Sequence, residues 1–186
     1  MDDAEFDKII ENHQKWLDNK IEGVRADFTG QDLSYVKFKD LNLRRAIFDR
    51  ANLESSLFEN CDLTEANFIQ ANLTTATFSK SNCTEVAFIQ ANLVELFCKD
   101  TIFTDAIFNL VDATGSTFYD SKFEKTSFTF SIFSNASFED SVFWQTDFSG
   151  SDVSETSFTR GNISQLILTN AITQHTHSMK IITETE

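Results

Sequence analysis

Proline is absent from all 186 residues, and glycine occurs only five times, at positions 23, 30, 115, 150 and 161. A fold with many tight turns ordinarily uses both, so something other than Gly–Pro punctuation must turn this chain. Basic residues are scarce as well: 15 Lys and Arg stand against 29 Asp and Glu, a formal charge of −14. Such a surface repels nucleic acid and anionic lipid, which excludes direct nucleic-acid binding and membrane association. No apolar run approaches the roughly eighteen residues of a membrane span, and the acidic start MDDAEFDK is unlike a signal peptide. A cytoplasmic protein is expected. The three cysteines, Cys61, Cys83 and Cys98, have neither metal-site spacing nor the framework of a secreted disulfide protein. No Ser/His/Asp arrangement, Gly-rich phosphate loop or zinc spacing stands out, so no catalytic, cofactor-binding or metal-binding residue is predicted. His175 and His177 read as solvated residues, and the chain reads as a non-enzyme.

Phenylalanine is what the chain has in excess, with 20 Phe beside two Tyr and two Trp. Stepping by five from Phe28 to Leu168 meets 29 apolar residues in succession: 17 Phe, seven Leu, two Cys, and Ala113, Val153 and Ile163. At 41% hydrophobic content, a run of that length in one register has a chance of roughly 10⁻¹¹. Two residues before these positions, 22 of the 29 are Ala, Ser, Thr, Cys or Gly. Residues two apart on an extended segment point the same way, so the small and the large member of each unit share an inner face. The residue between them, often Asp or Asn, points out, and the last two turn a corner. All three cysteines fall on inward positions and read as small buried residues.

Segments such as Ala51-Asn52-Leu53, Ala66-Asn67-Phe68, Ala71-Asn72-Leu73 and Ala91-Asn92-Leu93 resemble the A(D/N)LXX unit of the pentapeptide-repeat family. The resemblance spans residues 24–172 and implies an all-β solenoid, a right-handed quadrilateral β-helix with four units per turn. The residues support four sides independently. Phe and Leu alternate through the first ten units, and residues 68–73 recur as residues 88–93, twenty positions on. Twenty residues per coil gives about seven coils and a rod roughly 34 Å long.

Solenoid ends need covers. Phe6, Ile9, Ile10, His13, Trp16, Leu17 and Ile21 form an apolar stripe at helical spacing, with acidic residues in its first turn and Gly23 after it. Residues 1–23 are therefore expected to form an N-terminal capping helix, 24–172 the β-helix, and 173–186 a tail or short cap. The lead-in around His13, Trp16, Leu17, Gly23, Arg25 and Ala26 is similar to that of bacterial members of the family.

Placed on four faces, the outward residues fall into columns spaced by twenty. Glu65, Glu85 and Asp105 form one acidic column, and Asp100, Asp120 and Asp140 another, on the two edges of one face. Ile47, Ile69, Ile89, Ile107, Leu110 and Phe130 point outward on a neighbouring face, an apolar stripe that implies a partner or a dimer. Two functions fit. One is a non-enzymatic scaffold mediating protein–protein interaction, its partner an unidentified protein. The other is a DNA-mimicking binder of a type II topoisomerase, similar to the quinolone-resistance members of the family. Residues 51–171 hold sixteen acidic and five basic residues, which suits mimicry. Duplex DNA, however, carries a charge per roughly 1.7 Å, about twice the density here. No loop interrupts the register between 28 and 168, and no C-terminal segment resembles the dimerising segment of gyrase-protecting members.

Overall fold

The computed structural model describes residues 3–177, and in it every fifth residue turns the chain. From Gly30 to His175, the residue two after each inward position has φ between +50° and +70°, without exception. Only three of these corners are glycine, at 30, 115 and 150. The rest are left-handed residues with side chains, many of them Glu, Gln, Lys or Arg, each costing on the order of 1 kcal/mol or more. The strain is offset by the ladder. The Gln90 N–H, for example, donates to the Asn109 carbonyl of the next coil at 3.0 Å.

Many corners are type II turns, closed by a backbone bond such as Gln31 N–H to the Phe28 carbonyl at 3.0 Å. Others are open, and at several of these a hydroxyl from the next coil bridges the gap. Ser131 Oγ donates to the Phe108 carbonyl at 2.6 Å and accepts from the Val111 N–H at 3.1 Å. Ser81 does the same between Phe58 and Cys61, and Ser141 between Phe118 and Ser121. Corners that close themselves differ: Thr126 and Thr156 still donate to the Phe103 and Phe133 carbonyls of such corners, at 2.6 and 2.7 Å. Buried Ser56 and Ser116 face corners that close themselves, Leu33–Val36 and Leu93–Leu96, and their hydroxyls have no partner. Some small inward residues thus do more than leave room: Ser81, Ser131 and Ser141 replace a missing turn bond.

The outward Asp and Asn also act on the backbone. Asp27 Oδ1 accepts from the Thr29 N–H at 2.9 Å, and Asn72 Oδ1 from the Thr74 N–H at 3.2 Å. This is the local side-chain turn that short carboxylates and amides make readily.

Successive coils pair in parallel at an offset of twenty residues. The five-stranded sheet β1 (Lys37–Lys39), β2 (Leu57–Glu59), β3 (Thr77–Ser79), β4 (Phe97–Lys99) and β5 (Thr117–Tyr119) forms one face. β6 (Lys122–Glu124), β7 (Val142–Asp147) and β8 (Asn162–Ile167) form a second sheet. Isolated bridges at the same offset carry the remaining faces, for about seven turns. The ladder continues to His177, which bridges Ser157. Residues 178–186, including Ile181 and Ile182 of the expected tail, lie outside the described residues.

The faces are numbered here by their first inward residue: Phe28, Leu33, Phe38 and Leu43. Phe rings stack along the first face at 4.5–5.1 Å between centroids, from Phe28 to Phe148. They meet the rings of the third face edge-on, as Phe38 meets Phe48 at 5.7 Å and 90°, an arrangement aromatic quadrupoles favour. Midway the pattern shifts. Cys98 takes a third-face position between Phe78 and Phe118, and Phe103 replaces Leu on the fourth face. Phe103 then packs against Phe108 at 5.2 Å and Phe118 at 6.1 Å, so the large residue moves one face along. All three cysteines are buried free thiols. Burial pushes the Cys61 thiol up to about 11 and those of Cys83 and Cys98 well above their ordinary value, as expected of inert core residues.

Helix α1, Asp3–Leu17, covers the first coil, with the Phe6 ring 5.5 Å from Phe38 and 6.2 Å from Phe28. Its end departs from the sequence expectation. Asn19, at φ +55°, terminates the helix, with Lys20 N–H bonded to the Lys15 carbonyl and Asn19 N–H to the Trp16 carbonyl. That is the Schellman pairing with Asn in the usual glycine place. Ile21 lies beyond the helix and is fully exposed. Gly23 serves another purpose: a Cβ there would sit 2.2 Å from the Trp16 nitrogen, so the chain leaving the cap presses directly on the helix backbone.

His13 locks the cap from beneath. It is fully buried, its Nδ1 accepts the Ala26 N–H at 3.0 Å, and its ring stacks on Trp16 at 5.6 Å. Burial, and then the Arg25 charge, hold its pKa below the ordinary histidine range, with the Arg44 backbone offsetting part of this. In the unfolded chain the group titrates near 6.5. Between that value and the lower folded one, the unfolded state binds more protons, so this contribution is complete above about pH 7 and is lost as pH falls toward 5. Asp27, Glu65 and Asp140 have lowered pKa values, held there respectively by Thr29, Arg45 and Arg160 hydrogen bonds. Their contributions are lost in a more acidic window, below about pH 4. Urea midpoints should therefore fall between pH 7 and 5 in the wild type. In His13→Gln, less stable throughout, they should stay level across that interval.

Candidate interaction surface

All six residues of the two acidic columns stand at left-handed corners, with φ of 50–60°. Glu65, Glu85 and Asp105 line the edge between the fourth and first faces, and Asp100, Asp120 and Asp140 the edge between the third and fourth. Each column is closed at both ends by a cation at the same corner position: Arg45 and Lys125 for the first, Lys80 and Arg160 for the second. Arg45 Nε lies 2.8 Å from Glu65 Oε2, with a second bond from Nη2 to Oε1 at 3.0 Å. Arg160 grips Asp140 through Nε and Nη2, each at 2.8 Å, and also reaches Glu139. These bonds hold the Glu65 and Asp140 carboxyls below their ordinary values.

Two of the six carboxylates are thus neutralised within the rod. Among the described residues, Glu85, Asp100, Asp105 and Asp120 make no ion pair. The nearby cations turn elsewhere: Lys125 lies 5.6 Å over the Trp144 ring and Lys99 5.4 Å over the Tyr119 ring. Lys39 pairs with Glu59 at 3.2 Å. Exposed pairs of this kind contribute little to stability, and their main effect is to shorten each acidic run.

The six apolar residues all belong to the first face. Ile47, Ile69 and Ile89 are half-buried between rungs, whereas Ile107, Leu110 and Phe130 are exposed at 36%, 52% and 68%. The sequence reading missed Ile132, exposed at 43% across the corner from Phe130, and the fourth-face group Ile102, Val142 and Trp144. Stepping by twenty from the intervening residue of each unit, rather than choosing one face, would have found Ile102, Ile132 and Val142, whereas Trp144 follows its inward residue, Phe143. His175 pairs with Glu155 at 3.1 Å, and among the described residues no group of His, Cys, Asp and Glu is placed to hold a metal ion. Nor is any helix of those residues long and apolar enough to cross a membrane.

The family model described as Pentapeptide repeats matches the chain in eight copies, over residues 24–50, 46–82, 81–120, 106–145, 121–160 and 136–172. Among solved structures the chain is similar to QnrB1, a plasmid-mediated fluoroquinolone resistance protein, at 13% identity and a TM-score of 0.42, covering 80% of this chain and 91% of that one. It is also similar to HetL, a pentapeptide repeat protein involved in heterocyst differentiation regulation from the cyanobacterium Nostoc sp. strain PCC 7120. There the identity is 14% and the TM-score 0.28, over 88% of this chain and 91% of that one. A third, from the Arabidopsis thaliana thylakoid lumen, is 24% identical with a TM-score of 0.27, over 73% of this chain and 70% of that one. No curated protein matches the sequence.

Proposed function

We propose, from the premise that this chain belongs to the pentapeptide-repeat family, that it is a non-enzymatic cytoplasmic scaffold whose outer faces bind a protein partner. The observation that carries this reading is the unbroken corner series from Gly30 to His175. With a turn at every fifth residue and no insertion between, the inward side chains fill the coil and the outward ones form flat, regularly spaced columns. Catalysis needs several groups converging on one reacting atom. Columns of side chains diverging from four faces suit recognition over an area instead.

A second reading, a DNA-mimicking binder of a type II topoisomerase, is favoured by the unpaired carboxylates Glu85, Asp100, Asp105 and Asp120. The Arg45–Glu65 and Arg160–Asp140 pairs weigh against it, because they remove charge where mimicry needs it. A gyrase supercoiling assay with and without a quinolone separates the two. The scaffold reading expects neither inhibition nor protection at micromolar protein. Inhibition that Glu85→Gln and Asp105→Asn relieve would favour mimicry.

A further inference from the structure

On the first face, four successive rungs, residues 67–70, 87–90, 107–110 and 127–130, contain no charged residue. At a coil spacing of roughly 4.8 Å they form a strip on the order of 15–20 Å tall. Its polar side chains bond to one another and, at its lower end, to Arg50 of the preceding rung. Arg50 Nε donates to Gln70 Oε1 at 3.1 Å, Gln70 Nε2 to Gln90 Oε1 at 3.0 Å, and Ser127 Oγ to Asn109 Oδ1 at 2.7 Å. What remains to face a partner is Ile69, Ile89, Ile107, Leu110 and Phe130.

Phe130 is both exposed and held in place. A Cβ on Gly150 would lie 2.7 Å from two atoms of the ring, so the ring occupies space that only glycine leaves open. A large aromatic already fixed in position loses little freedom on binding, the property of an interface anchor. One edge of the strip is the acidic column, where Glu85 and Asp105 make no ion pair among the described residues.

We propose that this strip docks a cationic amphipathic segment of another protein. Apolar side chains would lie over Ile89, Ile107 and Phe130, with Lys or Arg against Glu85 and Asp105. The inference rests on the scaffold reading and adds the chemistry of the partner. A second copy of this chain, with a formal charge of −14, would bring like charge to the acidic edge, as would nucleic acid.

The test is selection of a random 16-residue peptide library on the wild type, with counter-selection on Ile89→Thr/Ile107→Asn/Phe130→Gln. Each replacement already occurs in its own column, at Thr129, Asn67 and Gln90, so the triple variant should keep the fold, checked by its circular dichroism and melting. Enriched peptides should combine Leu, Ile, Phe or Trp with Lys or Arg, and bind the triple variant at least about tenfold more weakly. Glu85→Gln/Asp105→Asn should weaken them too and remove most of their salt dependence. Enrichment of peptides without cations, or none beyond the triple variant, would overturn the proposal. So would self-association of the wild type that the triple variant abolishes. Peptides binding wild type and triple variant alike would refute this strip yet leave the scaffold reading standing, whereas gyrase inhibition would strike at that reading itself.

Discussion

Phe108→Ala is expected to lower the unfolding free energy by about 3–5 kcal/mol. The residue is fully buried at mid-rod. Its ring lies 4.6 Å from Phe88 below, 4.9 Å from Phe128 above and 5.2 Å from Phe103 on the adjoining face. None of these can relax far into the space vacated, because each is fixed by its own rung of the backbone ladder. The loss therefore combines the transfer energy of the ring with the cost of a cavity that stays open. Position in the rod should matter. A coil near the middle has neighbours on both sides, so damage there interrupts the chain of rung-to-rung contacts on which a solenoid's stability depends. Urea denaturation followed by circular dichroism gives the number, and a loss below about 1 kcal/mol would mean that Phe108 does not face inward.

The inner surface was legible in the sequence because its signal is redundant. Twenty-nine apolar positions at one spacing leave a single register that buries them all, and a shift of one residue would expose Phe28, Phe48 and Phe68 together. The corners were less legible. Left-handed backbone is ordinarily announced by glycine, whereas here Glu65, Gln90, Lys80 and Arg160 adopt it under the constraint of the ladder, a tertiary effect that no local propensity records. The hydroxyl bridges were hidden for a similar reason. Ser131 and Ser56 occupy equivalent positions, yet only the Ser131 hydroxyl finds a partner on the neighbouring coil, a difference that spacing does not carry. In the candidate surface, the acidic columns could be placed by counting, and Arg45 and Arg160 stood at their ends in the same count. That Arg45 and Arg160 fold back on Glu65 and Asp140 depends on side-chain conformation, which spacing does not specify. The helix stop was misplaced at Gly23 because glycine is the commoner cap. Asn19 takes that place, and the glycine is needed for close approach.

The second large effect concerns the residue type this chain never uses. Gln90 has φ +59° and its N–H donates to the Asn109 carbonyl. Proline at this position would force φ to about −65° and delete the donor, a cost of about 3 kcal/mol or more. Ile89, its immediate neighbour, is different. It is the second residue of the Phe88–Ala91 turn, whose Ala91 N–H bonds the Phe88 carbonyl at 2.9 Å, and its own N–H takes no part in the backbone ladder. That is where a type II turn accepts proline, so Ile89→Pro should stay within about 1 kcal/mol of the wild type. Phe88, Gln90, Ala91 and Asn92 all use their N–H in backbone bonds, so the absence of proline is required at four positions of this unit and merely permitted at the fifth.

The central claim is that position within the five-residue unit determines which residues from 28 to 172 face inward, which face outward and which turn the corner. The urea midpoints of Gln90→Pro and Ile89→Pro, measured side by side, test it most directly. A collapse of the first beside a near-native second is the predicted result. Equal midpoints, or a greater loss in Ile89→Pro, would contradict the register on which the fold and the proposed surface both rest.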